Sequence, residues 1–411
     1  MTFLTHQVIL VSIVIRRFIF NRLREELTRP EINILLGPRQ VGKTTLLKEL
    51  EQFARAQGHS TAFFDLEQPN TLAHFNRPDK HVIETLTGSG KIIFIDEFQY
   101  IQNASKIFKA VFDAGRKTKI ICSGSSSFEI HKHLKESLSG RRLTFRIFPC
   151  SLAELVESAY PITLESFLQH GGMPGLTHAD SNERKEHLLS ELLASYILKD
   201  VRALVKEENI RAFNHLVYLL AENQGSVVSV NSLANEIKMS AKAIHRYLDI
   251  LEATYANSRV YSFSKNLGNE LKKSFKTYLY DLGIRNAILK DFSLPGQRPD
   301  KGALFETFVF LTLQQLLTPA TEIKFWRTKD GDEVDFILLY NRQPIPIEVK
   351  SRLNSTQIPQ GLRRFLLRYP TARAAYVINE NLTDSQTHNS CLVHFITFEQ
   401  FSRWKKLPLP G

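Results

Sequence analysis

The sequence predicts an α/β protein: a parallel sheet first, then helical blocks, then a second, smaller α/β unit. Three observations predict it. Apolar strand patterns alternate with helical ones up to about Pro149, as in a parallel sheet with crossover helices. The stretch GPRQVGKTT, Gly37 to Thr45, has the residue spacing of a phosphate-binding loop. A second set of strand patterns, FWRT, EVDFILLY and PIEVK, follows an apolar helix near the end of the chain.

At 411 residues, two to four domains are expected. The hydrophobic share is 43% and the charged share 23%, ordinary for a globular chain. A net charge of +11 favours anionic partners, either nucleic acid or an acidic membrane surface. Cys122, Cys150 and Cys391 are scattered and odd in number, so neither a zinc site nor a disulfide framework can be built from them. A reducing cytoplasm is the simplest compartment. Val8 to Ile15 is apolar but too short for a membrane span, which needs about 20 residues. It lacks the flanks of a signal peptide. It reads as a packing extension or a product of start-site choice, ahead of a peripheral membrane contact. The expected division is an extension at 1–15, a phosphate-loop core at 16–150, a helical block at 151–206, a helix-turn-helix unit at 207–265 and the last α/β unit at 266–411.

The expected strands of the first sheet are Ile32–Leu36, Thr61–Leu66, Lys91–Asp96, Lys119–Ser123 and Leu143–Phe148. Their nearly continuous apolar runs suit a sheet covered on both faces. Ligands of such sheets sit at the carboxyl ends of the strands, where Asp65, Asp96 and Ser123 fall. The first strand leads into Gly37, Pro38, Arg39, Gln40, Val41, Gly42, Lys43, Thr44 and Thr45. Leu46, Leu47, Leu50 and Phe53 then share one helix face. Glycines let backbone N–H groups close round a nucleotide's phosphates, and the helix N-terminus adds attraction for the anion. Lys43 would reach the β- and γ-phosphates, and Thr44 would place its hydroxyl on Mg2+.

The strand KIIFIDEF ends in Asp96 and Glu97 and resembles the Walker B element of hydrolysing P-loop ATPases. That resemblance implies Asp96 on Mg2+ and Glu97 on the attacking water. In CSGSSSF, Ser123 or Ser125 would bond the γ-phosphate or the water; a plain Ser/Gly loop is the alternative. In LSGRRLTF, Arg141 or Arg142, with Arg141 preferred, would be an arginine finger toward a neighbouring subunit's nucleotide, which implies a homo-oligomer. A surface contact is the alternative. In this order GPRQVGKTT, FIDEFQY, SGSSS and SGRR resemble the bacterial and archaeal AAA-type ATPases of the P-loop superfamily. The resemblance implies ATP and Mg2+ as cofactors, a helical lid after the sheet and a C-terminal nuclease-like domain.

Ser151 to about Lys206 reads as helices, interrupted at GGMPG, Gly171 to Gly175, by a turn expected to be a plain connector. Ile210 to Phe263 has the layout of a winged helix-turn-helix. Helices are expected over Arg211–Glu222, Val230–Ile237 and from Ser240 to about Thr254, with Ser229 or Asn231 and Ser240 as caps. Lys242, His245 and Arg246 point away from the core of the last helix and would meet DNA. A helical module packed on protein is the alternative.

In the last unit Glu306 lies on an apolar helix, Asp335 within an apolar strand, and Glu348 and Lys350 on one face of the next. This order resembles the PD-(D/E)xK nuclease core. The resemblance implies Asp335 and Glu348 as metal ligands, Glu306 as an auxiliary acid and Lys350 at the scissile phosphate. A degenerate nuclease fold that only binds, or a buried salt-bridge cluster without metal, is the alternative. Arg363, Arg364, Arg368 and Arg373 form a basic stretch that suits a phosphate backbone or a solvated face.

Three functions are therefore open. One is an ATPase acting on DNA by remodelling, translocation or gated cleavage. Another is a nucleotide-dependent signalling or assembly switch whose last domain only binds. The weakest is a DNA-binding regulator with a structural nucleotide.

Overall fold

The computed structural model describes residues 15–88, 91–115, 118–125, 138–195, 197, 209–264 and 274–409. Of the N-terminal apolar run only Ile15 lies within them, and the side chain of Ser125 lies outside them.

A short helix α1 (Ile19–Glu25) precedes the first sheet. Strand β1 (Ile32–Gly37) is buried along its whole length, as the apolar run requires of a strand covered on both faces. Helix α2 (Lys43–Ala56) follows and buries Leu46, Leu47, Leu50 and Ala54. Burial of each leucine contributes about 1.5–3 kcal/mol. The sheet is completed by β2 (Thr61–Asp65), β3 (Ile92–Asp96), β4 (Lys119–Ser125) and β5 (Arg142–Arg146), with α3 (Pro69–Phe75), α4 (Asp79–Gly88) and α5 (Ala104–Asp113) between them. Its order is β2-β3-β4-β1-β5, all parallel. The final strand starts one residue earlier and ends two earlier than its apolar pattern suggests. It is the edge strand, and Leu143 is exposed on it.

Helices α6 (Leu152–Glu157), α7 (Leu164–His170) and α8 (Asn182–Leu192) come next. Ser151 and Glu154 form a reciprocal capping box at the start of α6. The following unit runs α9 (Ile210–Glu222), β6 (Val227–Ser229), α10 (Val230–Ile237), α11 (Ala241–Ala253), β7 (Asn257–Tyr261) and β8 (Ser274–Leu279). Ser229 caps α10 and Ser240 caps α11 through their side chains. Lys238, at φ 59°, makes the turn between the two helices. Strand β8 lies between β6 and β7, antiparallel to both, so this unit extends past the boundary expected at residue 265.

The last unit holds α12 (Leu282–Leu289), α13 (Lys301–Leu316), β9 (Thr321–Arg327), β10 (Glu333–Tyr340), β11 (Gln343–Val349), α14 (Gln360–Arg368), β12 (Ala374–Asn379), β13 (Asp384–His388), β14 (Cys391–Thr397) and α15 (Phe398–Ser402). Its six strands are ordered β13-β14-β12-β11-β10-β9 in a mixed sheet. One hydrophobic core joins Leu152, Leu155 and Phe167 of the helical block to Leu304, Phe308 and Phe336. Phe167 and Phe308 meet edge to face at 5.8 Å. Among the described residues no helix is long and apolar enough to cross a membrane.

Candidate functional site

The phosphate loop begins where β1 ends. Gly37 has no room for a side chain, because a Cβ there would run into the carbonyl oxygen of Ile147. Gly42 has φ +90°, which a side chain would strain. Together they bring the backbone round to the N-terminus of α2, which begins at Lys43. The Lys43 ammonium is buried and folds back on the loop, donating to the carbonyls of Pro38 at 2.7 Å and Gly37 at 3.1 Å. Burial pushes its pKa below the ordinary lysine value, against the holding charges of Glu97 and Asp96. Gly42, Lys43, Thr44 and Thr45 line a cavity of about 700 Å³ that Glu67 and Glu97 also face.

Asp96 is buried at the end of β3, and its Oδ1 accepts a hydrogen bond from the Ser123 hydroxyl. So Ser123 orients the aspartate. Glu97 leaves the strand in the left-handed conformation, φ 55°, and begins the 3-10 turn Phe98–Tyr100. Gln99 donates to its carboxylate. A Cβ at Gly124 would meet the Phe98 ring and the Gln99 amide, so the glycine of CSGSSSF gives that turn its seat. A buried lysine, a hydroxyl at a helix N-terminus and two adjacent carboxylates are a donor set that fits a nucleotide's phosphates with Mg2+.

Two contributors to this cavity are not apparent from the motifs. The first is Arg17, whose side chain is buried. It donates to the carbonyls of Val41 at 2.9 Å and Phe148 at 2.6 Å, and to the Glu154 carboxylate at 3.2 Å. Glu154 also accepts from the Phe18 backbone at 2.7 Å. The arginine therefore ties the phosphate loop to the chain after β5 and to α6. The second is the GGMPG stretch, which is more than the connector expected. Pro174, Gly175, Thr177 and His178 line the cavity. A Cβ at Gly171 would strike the Asp281 carboxylate, and one at Gly172 the Cys150 carbonyl. Asp281 accepts from the Gly172 backbone at 2.8 Å and from Ile284 at 3.1 Å, the latter as the cap of α12. Burial raises its pKa to about 6, against these hydrogen bonds. The adjacent glycines were the available signal, since paired glycines mark close backbone approach as well as turns.

Arg141 lies elsewhere. It precedes β5, which starts opposite Ile32 at the amino end of β1. Five residues of strand, about 16 Å, separate that end from Gly37. Its guanidinium holds both Asp113 oxygens, at 2.7 and 3.3 Å. It does not face the nucleotide cavity of its own chain.

On α11, Lys242, His245 and Arg246 are exposed together on one side while Ile244, Tyr247, Leu248 and Leu251 are buried. The acidic residues of the same helix are drawn off by Arg259 of β7, which pairs with Asp249 at 2.8 Å and with Glu252.

In the last unit the structure brings Glu306, Asp335 and Glu348 to one buried place, but a residue absent from the sequence pattern occupies it. Lys276 of β8 puts its ammonium 2.9 Å from Glu306, 2.6 Å from Glu333 and 3.4 Å from Asp335. The Tyr278 hydroxyl donates to Glu306 at 2.6 Å. Asp335 Oδ2 accepts from the Val349 backbone at 2.8 Å. Lys350 pairs with Glu348 Oε1 at 2.7 Å, while Glu348 Oε2 is buried without a partner. Burial, reinforced by Asp335, raises the Glu348 pKa to about 8. Among the described residues no group of three or more His, Cys, Asp or Glu side chains is arranged to hold a metal ion. Of the expected metal set, Glu306 and Asp335 are paired with the Lys276 ammonium here. A lysine inside the apolar alternation of SFKTYLYD was the signal that sequence reading passed over, since a buried cation demands carboxylate partners.

Residues 29–156, which include the phosphate loop and the Asp96–Glu97 strand end, match the family model described as "AAA domain". Residues 162–294 match "Domain of unknown function (DUF8612)" and residues 301–401 match "Domain of unknown function (DUF4143)". An uncharacterized protein of Mycobacterium tuberculosis is 28% identical over 367 residues, covering 88% of this chain and 79% of that one. An uncharacterized protein of Methanocaldococcus jannaschii is 26% identical over 355 residues, covering 82% and 78%. Among solved structures, the Aeropyrum pernix ORC1 protein in complex with DNA overlaps 66% of this chain and 91% of its own, at 13% identity and a TM-score of 0.28. That score is too low to establish a common fold.

Proposed function

We propose that this chain is an ATP-hydrolysing AAA-type enzyme that acts on DNA through a winged helix formed by α9–β8. The observation that carries the enzymatic part is the cavity in which the phosphate loop, Lys43, Thr44 and Glu97 face one another. Lys43 is held ready on the loop carbonyls, so an incoming phosphate exchanges neutral acceptors for anionic ones. Thr44 and Asp96 would hold Mg2+, with Ser123 fixing the aspartate's rotamer. The metal supplies charge neutralisation at the phosphates. Glu97 would accept the proton of the attacking water, and the turn seated on Gly124 fixes where its carboxylate points. Pro174, Thr177 and His178, from the helical block, line the cavity, so this block would sense whether it is filled.

DNA action rests on the exposed Lys242, His245 and Arg246 of α11, on the helix-turn-helix layout, and on the chain's positive charge. ATP turnover measured with single-stranded, duplex and branched DNA tests it. Stimulation by one of these, reduced in Lys242→Ala/Arg246→Ala, is the expected result. A second reading, a nucleotide-dependent assembly switch whose last domain only binds, is favoured by the lysine inside the acidic centre. Turnover indifferent to every DNA would select it, and turnover unaffected by Glu97→Gln would remove the catalytic assignment.

A further inference from the structure

The acidic centre of the last unit is built for a positive charge, and the chain supplies one itself. Glu306, Glu333 and Asp335 surround the Lys276 ammonium at 2.6 to 3.4 Å. The lysine side chain is 1% exposed. An ion bonded to Glu306 and Asp335 at about 2.1 Å would lie in the space this nitrogen holds. Other oxygens of these carboxylates also have protein neighbours. Tyr278 covers Glu306 Oε1, and a Cβ at Gly225, φ +76°, would come within 2.9 Å of Glu306 Oε2. Asp335 Oδ2 is committed to the β11 backbone. Glu348 Oε2 is buried and without a partner.

Lys276, Tyr278 and Gly225 all belong to the neighbouring unit, on β8 and on the turn before β6, whereas the carboxylates belong to α13, β10 and β11. We propose that Lys276 is the resident cation of this centre. While β8 is docked, the ammonium takes the position a divalent ion would need. The last unit therefore neither binds such an ion nor cleaves DNA, and its carboxylates hold the two units together. Removing the ammonium leaves Glu306, Asp335 and the free oxygen of Glu348 as a vacant divalent-cation site. This inference does not depend on the nucleotide reading above.

Mn2+ binding to the full-length, nucleotide-free protein, read by electron paramagnetic resonance, tests it. Ions bound elsewhere are separated by their indifference to Asp335→Asn. The wild type is expected to bind no Mn2+ that Asp335→Asn removes. Lys276→Met is expected to bind one such ion per chain, and Lys276→Met/Asp335→Asn to lose it. Lys276→Arg, which keeps a cation, is expected to stay metal-free. An Mn2+ that the wild type binds and a folded Asp335→Asn protein loses overturns the proposal, whatever the Lys276 variants do. So does a folded Lys276→Met protein, verified by its melting transition, that binds none.

Discussion

Glu97 sits in a left-handed conformation at φ 55°, which a non-glycine residue adopts at a cost of about 1–3 kcal/mol. The surrounding turn offsets that cost and fixes the carboxylate over the cavity. Glu97→Gln is expected to retain ATP binding and lower kcat by about 10²–10⁴, checked by a fluorescent nucleotide titration beside a phosphate-release assay. Lys43→Ala removes the ammonium and is expected to abolish binding in the same titration. Asp281 gives a pH prediction. Its folded pKa of about 6 stands above the ordinary 3.8, so the native state holds a proton that the unfolded state has released. Its contribution is therefore greatest below about pH 4 and falls as pH rises through 6, by about 3 kcal/mol if the full shift is expressed. Denaturant unfolding of wild type and Asp281→Asn across pH 3–8 should show a free-energy difference that changes between 4 and 6 and is flat outside that window.

Among the elements, the segment between α7 and α8 is the one whose role the sequence concealed. A turn rich in glycine is legible as a turn; that its far end lines a nucleotide cavity is set by tertiary packing. Gly171→Ala meets both a positive φ of 72° and the Asp281 carboxylate. It is expected to lower stability by about 1–3 kcal/mol, seen as a drop in Tm. Arg17 is similar: it follows an apolar run, and only the folded chain shows it buried against Val41, Phe148 and Glu154. Arg17→Ala leaves Glu154 buried without its cation, which costs about 3–5 kcal/mol when a buried pair is broken. By contrast, α10 and α11 were legible almost to the residue, because Ser229 and Ser240 announce their starts. Lys242→Ala/Arg246→Ala should reduce the slope of log affinity against log salt by about 2 if both meet phosphates. Fluorescence anisotropy in a salt series measures that slope.

On the scale of the whole molecule, the sequence carried the first sheet well. Its strands β1 and β3 are buried along their whole length, so composition alone marks them, and the chemical motifs sit at their ends. The acidic centre was half legible. Glu306, Asp335 and Glu348 do converge, as their order along helix and strands implies. The ammonium among them comes from a strand about thirty residues upstream of Glu306 in a different sheet, and no local pattern reveals such a partner.

The core shared by Leu152, Phe167, Leu304 and Phe308 has a consequence for how this chain can be rearranged. The family matches change between residues 294 and 301, where a gene engineer would cut. The apolar surface does not divide there. A protein ending at 294 would leave Phe167 facing water and Lys276 without its carboxylates. Exchange of the last unit with that of a relative would succeed only if the recipient helices and β8 were carried along, so the portable segment is larger than the sequence families suggest.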